Sequence, residues 1–193
     1  MGRPKKLSDS ECLERAFVVI SREGFESFTL AQVAKATGLS PAALIKRFRT
    51  KQRLARAARD RRWDVNLEQV RASDATSTRG LERLLQFIRS IARSVDSKRL
   101  GEHARLLGTQ ADEPRSKKKV AAYFQSTRER LELCLREAHD DGEIRKIDAS
   151  RVAWTLEALI QGAIFQFAFL EARGIERHLC DHVETFLAPY RLS

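Results

Sequence analysis

The stretch "TLAQVAKATGLSPAALIKRF", residues 29–48, restricts the fold more than any other part of the chain. Thr29 is an N-cap residue, and a short helix over Leu30–Thr37 turns Leu30, Val33 and Ala34 inward. Gly38 stops it, because the turn needs a positive φ that glycine adopts without steric cost. Ser40 caps a second helix, and Pro41 takes its first position, where a missing N–H loses no hydrogen bond. That helix ends near Phe48, with Leu44 and Phe48 on one side and Lys46 and Arg47 on the other. Ala34 is small where the two helices cross, and Val33, Leu39 and Leu44 are apolar where they pack. Two short helices joined across a glycine, the second capped and basic, have the layout of a helix-turn-helix.

The flanking sequence agrees. Ser8 and Glu11 form a capping box, with Leu7 and Cys12 placed as a hydrophobic staple. Leu13, Ala16, Phe17 and Ile20 then make one apolar face, and Gly24 ends the first helix. Thr50 caps a longer helix from Lys51 to about Arg71. After the polar loop "ASDATST", 72–78, helical periodicity returns over about 79–95, 98–109, 114–140, 149–173 and 175–190. Pro and Gly are scarce, so an all-α protein is expected. The expected organisation is a helix-turn-helix domain over 1–55, including a basic N-terminal arm, followed by a second helical domain over 56–193.

Charge divides the chain in the same way. Residues 1–71 hold 16 Lys and Arg against 8 Asp and Glu, a net +8, whereas residues 72–193 hold 20 against 18, a net +2. A basic front on a near-neutral body suits a polyanion binder joined to something else.

The segment "GFESFTLAQVAKATGLSPAALIKRFRTKQRL", residues 24–54, resembles the DNA-binding domain of the tetracycline-repressor (TetR) family of bacterial transcriptional regulators. The matching positions are Gly24, Phe25, Thr29, Val33, Ala34, Gly38, Leu39, Ser40, Leu44, Phe48, Lys51 and Leu54. The resemblance implies that Thr29 and Lys51 hold phosphates on either side of the recognition helix. It places Ser40, Pro41, Ala42, Ala43, Ile45 and Lys46 in or beside the major groove, with Leu44 and Phe48 in the core. Two positions depart from the family: Ile45 stands where tyrosine is usual, and Arg47 where histidine is frequent. Arg47 either replaces that tyrosine's phosphate contact as a charge or lies in solvent. Ala42, Ala43 and Ile45 offer apolar contact to thymine methyls, and Lys46 reaches guanine or a phosphate. With so few polar groups for base edges, part of the specificity is expected from DNA shape. The tail "GRPKK" places Arg3 before a proline, with Lys5 and Lys6 following, and resembles the core of an AT-hook. A basic arm just before a helix-turn-helix is positioned for the adjacent minor groove.

In the body, the helix at 149–173 is the informative one. Val152, Leu156, Leu159, Ile160, Ala163, Ile164 and Phe167 form one apolar stripe, and Trp154, Ala158, Phe165 and Phe169 form a second. A helix apolar on two sides needs two partners: its own domain and a second subunit. Ala158 and Gly162 are small enough for close helix approach. The resemblance implies the same homodimer, built on the last two long helices, so Ala158, Gly162, Phe165, Phe169, His178 and His182 are assigned to the interface. It also implies a small-molecule effector pocket in the body, for which Trp63, Phe87, His103, Leu107, Tyr123, Phe124, Trp154 and Gln161 are the candidates. Their apolar, aromatic content leans toward a hydrophobic effector.

Other chemistries find little support. Cys12, Cys134 and Cys180 are far apart, with no C-x-x-C, and suit a reducing cytosol. His178 and His182 have helical metal-pair spacing, but no third ligand accompanies them. No nucleophile motif, P-loop or glycine-rich fingerprint is present, so neither an enzyme nor a bound cofactor is expected. The longest apolar stretch, "ALIQGAIFQFAFL", is 13 residues long, against about 20 for a membrane span. No apolar segment follows the basic start, so a cytoplasmic location is expected. These readings combine into a homodimeric, ligand-relieved repressor bound to a roughly palindromic double-stranded DNA operator. The alternative is an architectural DNA-binding protein without an effector switch.

Overall fold

The computed structural model describes residues 7–72, 78–95, 114–170 and 174–192. Eight α-helices lie among them: α1 Asp9–Glu23, α2 Leu30–Thr37, α3 Pro41–Phe48, α4 Lys51–Ala72, α5 Gly80–Ser94, α6 Pro114–Asp140, α7 Ala149–Phe167 and α8 Ile175–Leu187. A 3-10 turn, Ala188–Tyr190, follows α8. The chain is all-α, as the periodicity indicates. The helix expected at 98–109 lies outside the described residues. The helix expected at 149–173 is shorter: α7 ends at Phe167, beyond which the Ala168 N–H donates to the Phe165 carbonyl at 3.1 Å and the Phe169 N–H to the Gln166 carbonyl at 3.0 Å, three residues back instead of four.

Two compact units divide between Val65 and Asn66, inside α4. The sequence reading sets the division at 55/56, before α4 has run its course. In the first unit, α1 packs on α2 and α2 on α3. Cys12, Ala16, Ile20, Phe28, Val33 and Leu44 form its core, with Leu54 and Ala58 closing it from α4. Three helices this short are marginal alone, so their caps and this shared core hold them.

In the second unit, α5, α6, α7 and α8 pack in a ring: α5 on α6, α6 on α7, α7 on α8 and α8 back on α5. The segment after α6 pairs with the C-terminus, where Arg145 N–H donates to the Tyr190 carbonyl at 2.8 Å and Leu192 N–H to the Glu143 carbonyl at 3.0 Å. No described helix is long and apolar enough to cross a membrane.

Candidate nucleic-acid interface

The geometry of α2 and α3 follows from side chains adjacent to them. Thr29 Oγ1 accepts from the Gln32 N–H at 3.2 Å, and Gln32 Oε1 accepts from the Thr29 N–H at 2.7 Å. This is a capping box, with glutamine in the position the sequence reading leaves unremarked. Gly38 sits at φ 71°, ψ 15°, the left-handed turn expected of it. Ser40 Oγ accepts from the Ala43 N–H at 3.1 Å, with Pro41 at the first helical position. Leu44 is fully buried beneath α3, while Pro41, Ala42, Ile45 and Lys46 are exposed along it and Ala43 is half-buried. A short, capped helix therefore presents a mainly apolar strip with one cation, Lys46. Thr29 and Ser40 are exposed at the two helix starts.

The cations around this strip are not equivalent. Arg47 turns away from it. Its guanidinium donates to the Leu7 carbonyl at 2.6 Å and pairs with Asp9 at 2.9 Å, with only about a quarter of the side chain exposed. The Arg47 assigned from the sequence as a phosphate contact is thus held within the domain by a carbonyl and a carboxylate. Lys51 Nζ donates to the Glu26 carbonyl at 2.9 Å and lies 4.6 Å from the centre of the Phe28 ring. It ties the loop before α2 to the start of α4, with ammonium donors to spare, since an ammonium has three.

Two further cations, Arg49 and Arg53, are exposed at the α3–α4 junction. The sequence reading passes over both; their signal is the basic run that flanks a capped helix. Arg49 is the one non-glycine residue with positive φ among the described residues (φ 73°, ψ −49°). Thr50 N–H donates to the Phe48 carbonyl across it at 2.9 Å. That closes the strained form of the γ-turn, a conformation costing of order 1–3 kcal/mol. Arg3, Lys5 and Lys6 lie outside the described residues.

In the body, α7 separates the two stripes read from its sequence. Val152, Leu156, Ile160, Ala163, Ile164 and Phe167 are buried, and Leu159 is half-buried. Trp154, Ala158, Gly162, Phe165 and Phe169 are exposed on the other side, the three aromatics at 62%, 53% and 73%. Phe165 and Phe169 stack on each other, ring centres 5.2 Å apart. His178 and His182 are half-buried, ring centres 4.4 Å apart, and His178 packs on Phe167 at 5.3 Å. They therefore fill space beside the inner stripe.

A small cleft in the body is lined by Asn66, Gln69, Val70, Phe87, Ser90, Ile91, Ser94 and Tyr123. Its space for the centre of a water-sized body is about 20 Å³, room for about one water. Phe87 and Tyr123 from the candidate list line it. Trp63 and Phe124 do not: Trp63 is buried elsewhere, and Phe124 is half-buried against Tyr123. Gln161, half-buried on α7, does not line it either. Trp154 is corrected outright, because it stands on the exposed stripe with the Arg128 guanidinium 4.3 Å from its ring centre. His103 and Leu107 lie outside the described residues. The lining mixes amides and hydroxyls with apolar groups, against the hydrophobic lean expected from the candidate list.

Burial pushes all three cysteine thiols up, Cys134 to about 11, so none is a thiolate at neutral pH. Burial likewise pushes the Glu157 carboxyl up, partly offset by Arg128 at 2.9 Å. No group of three or more metal-ligating side chains occurs among the described residues.

Comparison with known proteins bears on both units. A family model described as "Bacterial regulatory proteins, tetR family" matches residues 13–58, and one described as "Tetracyclin repressor-like, C-terminal domain" matches 80–183. No curated relative matches. Among solved structures, a transcriptional regulator from Saccharomonospora viridis, in complex with choline, is 20% identical, with a TM-score of 0.75 over 92% of this chain and 93% of that one. A TetR transcriptional regulator from Chloroflexus aurantiacus J-10-FL is 23% identical, with a TM-score of 0.68 over 94% and 95%. The ketosteroid transcriptional regulator KstR2 of Mycobacterium tuberculosis is 15% identical, with a TM-score of 0.66 over 98% of each.

Proposed function

Because the chain belongs to the TetR family of bacterial regulatory proteins, we propose that it is a ligand-relieved repressor that binds a roughly palindromic operator as a homodimer in the cytoplasm. The observation that carries this reading is α3: a helix of eight residues, capped by Ser40, with Leu44 buried below and Pro41, Ala42, Ile45 and Lys46 exposed above. A helix of that size enters the major groove, and its outward residues meet base edges there. Ala42 and Ile45 meet thymine methyls, and Lys46 a guanine or phosphate. Thr29, Ser40, Lys51 and the arm residues Arg3, Lys5 and Lys6 hold the backbone and the minor groove.

The exposed stripe of α7 supports the dimer. Three aromatic rings left in water beside Ala158 and Gly162 make an apolar face with room for close helix approach. Two recognition helices then read two half-sites on one face of the duplex. Phe165→Glu puts a charge in the centre of that face, and sedimentation should show a monomer. A variant that stays dimeric moves the interface elsewhere.

The effector site belongs to the body, and the cleft beside Phe87 and Tyr123, with room for about one water, must open to admit a ligand. Its binding must favour the form that does not hold DNA, since only differential affinity shifts the equilibrium.

The test is a fluorescence-anisotropy titration of the intergenic DNA beside the protein's own gene, competed with random DNA, at about 0.15 M salt. A preference of roughly a thousandfold supports a specific regulator. Equal binding to pool-selected and random duplexes supports the architectural alternative.

A further inference from the structure

Arg47 sits on the recognition helix, yet it reaches across to the chain just before α1. Its guanidinium holds the Leu7 carbonyl at 2.6 Å and the Asp9 carboxylate at 2.9 Å. Leu7 itself packs, partly buried, against the core that contains Leu44 and Cys12. The clasp is part-buried, with Leu7 and Arg47 separated by 40 positions in sequence. Leu7 is also the residue at which the basic tail ends, with Arg3, Lys5 and Lys6 immediately before it. A planar fork that grips a carbonyl and a carboxylate together fixes orientation as well as distance. A lysine in its place would supply charge without that geometry.

We propose that Arg47 is a positioning residue for DNA recognition: it sets the point and direction at which the basic arm leaves the domain, relative to α3. The arm and the recognition helix then meet DNA as one unit. Ordering a short arm at its root lowers the entropy lost when its cations reach the groove. The inference rests on the proposed DNA-binding function, and it gives Arg47 a role without contact to DNA. It also accounts for Asp9, an acidic residue in a basic region. Asp9 neutralises Arg47 and holds the fork in place, whereas a bare phosphate contact has no use for it.

The experiment is a double-mutant cycle on the full-length protein. Wild type, Arg47→Ala, a deletion of residues 1–6 and the combination are titrated by anisotropy against a duplex selected by the wild type from a random pool. Salt is varied from about 0.05 to 0.2 M. Wild-type binding that shows no preference for the selected duplex overturns the DNA-reading proposal, and this one with it. Given selective wild-type binding, deletion of the arm is expected to weaken it about tenfold. Arg47→Ala in the intact chain should lose several-fold, yet cost less than twofold once the arm is gone.

If Arg47 touched a phosphate directly, its removal would cost the same with or without the arm. The slope of log affinity against log salt would also fall by about one unit in both backgrounds. That additive result overturns the positioning role and leaves the DNA-binding function standing. Asp9→Asn guards against a folding defect in Arg47→Ala, because it breaks the ion pair and keeps the size of the side chain. Positioning predicts weaker binding for Asp9→Asn in the intact chain and none of that loss without the arm. A freed phosphate-binding Arg47 predicts tighter binding in both.

Discussion

In the N-terminal unit, Ser8, Thr29 and Ser40 each cap the helix that follows them, accepting from an N–H three residues on. In the body, α5 begins without any such cap. Its first N–H groups are instead held from a distance: Gly80 N–H donates to Glu137 at 3.2 Å, and Leu81 N–H to Glu143 at 2.7 Å. Glu137 also pairs with Arg83 at 2.6 Å, both side chains largely buried. The same need, four orphan donors at a helix start, is met locally at α1, α2 and α3, and at α7 in the body, where Asp148 accepts from the Arg151 N–H at 3.0 Å, but across the fold at α5. A local cap forms with its helix and fails with it alone. A remote cap joins α5 to the end of α6, so damage on either side spreads to both.

The largest expected effect lies at Gly80. It adopts φ +57°, and a Cβ there would overlap the Glu143 carboxylate and approach the Ala138 Cα to 3.3 Å. Gly80→Ala must strain the backbone and push Glu143 off the Leu81 N–H. The expected loss is roughly 2–4 kcal/mol, from a left-handed β-carbon penalty and a broken charged hydrogen bond. Thermal unfolding should show it, with hydrogen exchange rising in both α5 and the 137–144 segment. Exchange confined to α5 breaks the claim of remote coupling. Glu143→Ala removes the acceptor while leaving the glycine conformation alone. It should cost about 1–3 kcal/mol, the penalty of stranding a part-buried N–H, and deprotect the same two segments to a smaller degree.

This contrast also explains which features the sequence alone makes legible. Thr29, Gly38, Ser40 and Pro41 act within three or four residues of themselves, so their order in the chain carries the helix boundaries. Both α2 and α3 fall where those residues place them. The α7 stripes were legible for a related reason: period 3.6 separates Val152, Leu156 and Ile160 from Trp154, Ala158 and Phe165 by angle alone. The surroundings of Arg47 and Trp154 are not legible in the sequence because their partners are remote. Nothing near Arg47 in sequence announces Leu7 and Asp9, and Trp154 carries no local sign of which stripe meets solvent. The cleft fares likewise, since Asn66, Phe87 and Tyr123 come from three helices. Arg49 is invisible for another reason: its positive φ belongs to a residue type that rarely adopts one.

Ser8→Ala tests the local side of the comparison. Loss of this capping box should cost about 1 kcal/mol. Faster exchange should stay within the first turns of α1, with α5 to α8 unchanged. Spread of that change into the body would erase the distinction between local and remote caps.

An effect as small, and of opposite sign, is expected at Arg49. Glycine enters its γ-turn without the steric penalty that a β-carbon meets there, removing strain of order 1–3 kcal/mol. Against this, glycine adds freedom to the unfolded chain worth about 0.5–1 kcal/mol. The balance for Arg49→Gly is a net gain of roughly 1 kcal/mol, seen as a higher melting temperature of the N-terminal unit. Affinity for DNA should move the other way. The variant discards an exposed cation at the end of α3, so binding should weaken on all sequences alike and the salt slope should fall by about one unit. A protein that becomes both more stable and weaker at binding would show that the junction holds its strain for the sake of where Arg49 stands. One that loses stability would instead mean that the arginine side chain supports the turn that its backbone strains.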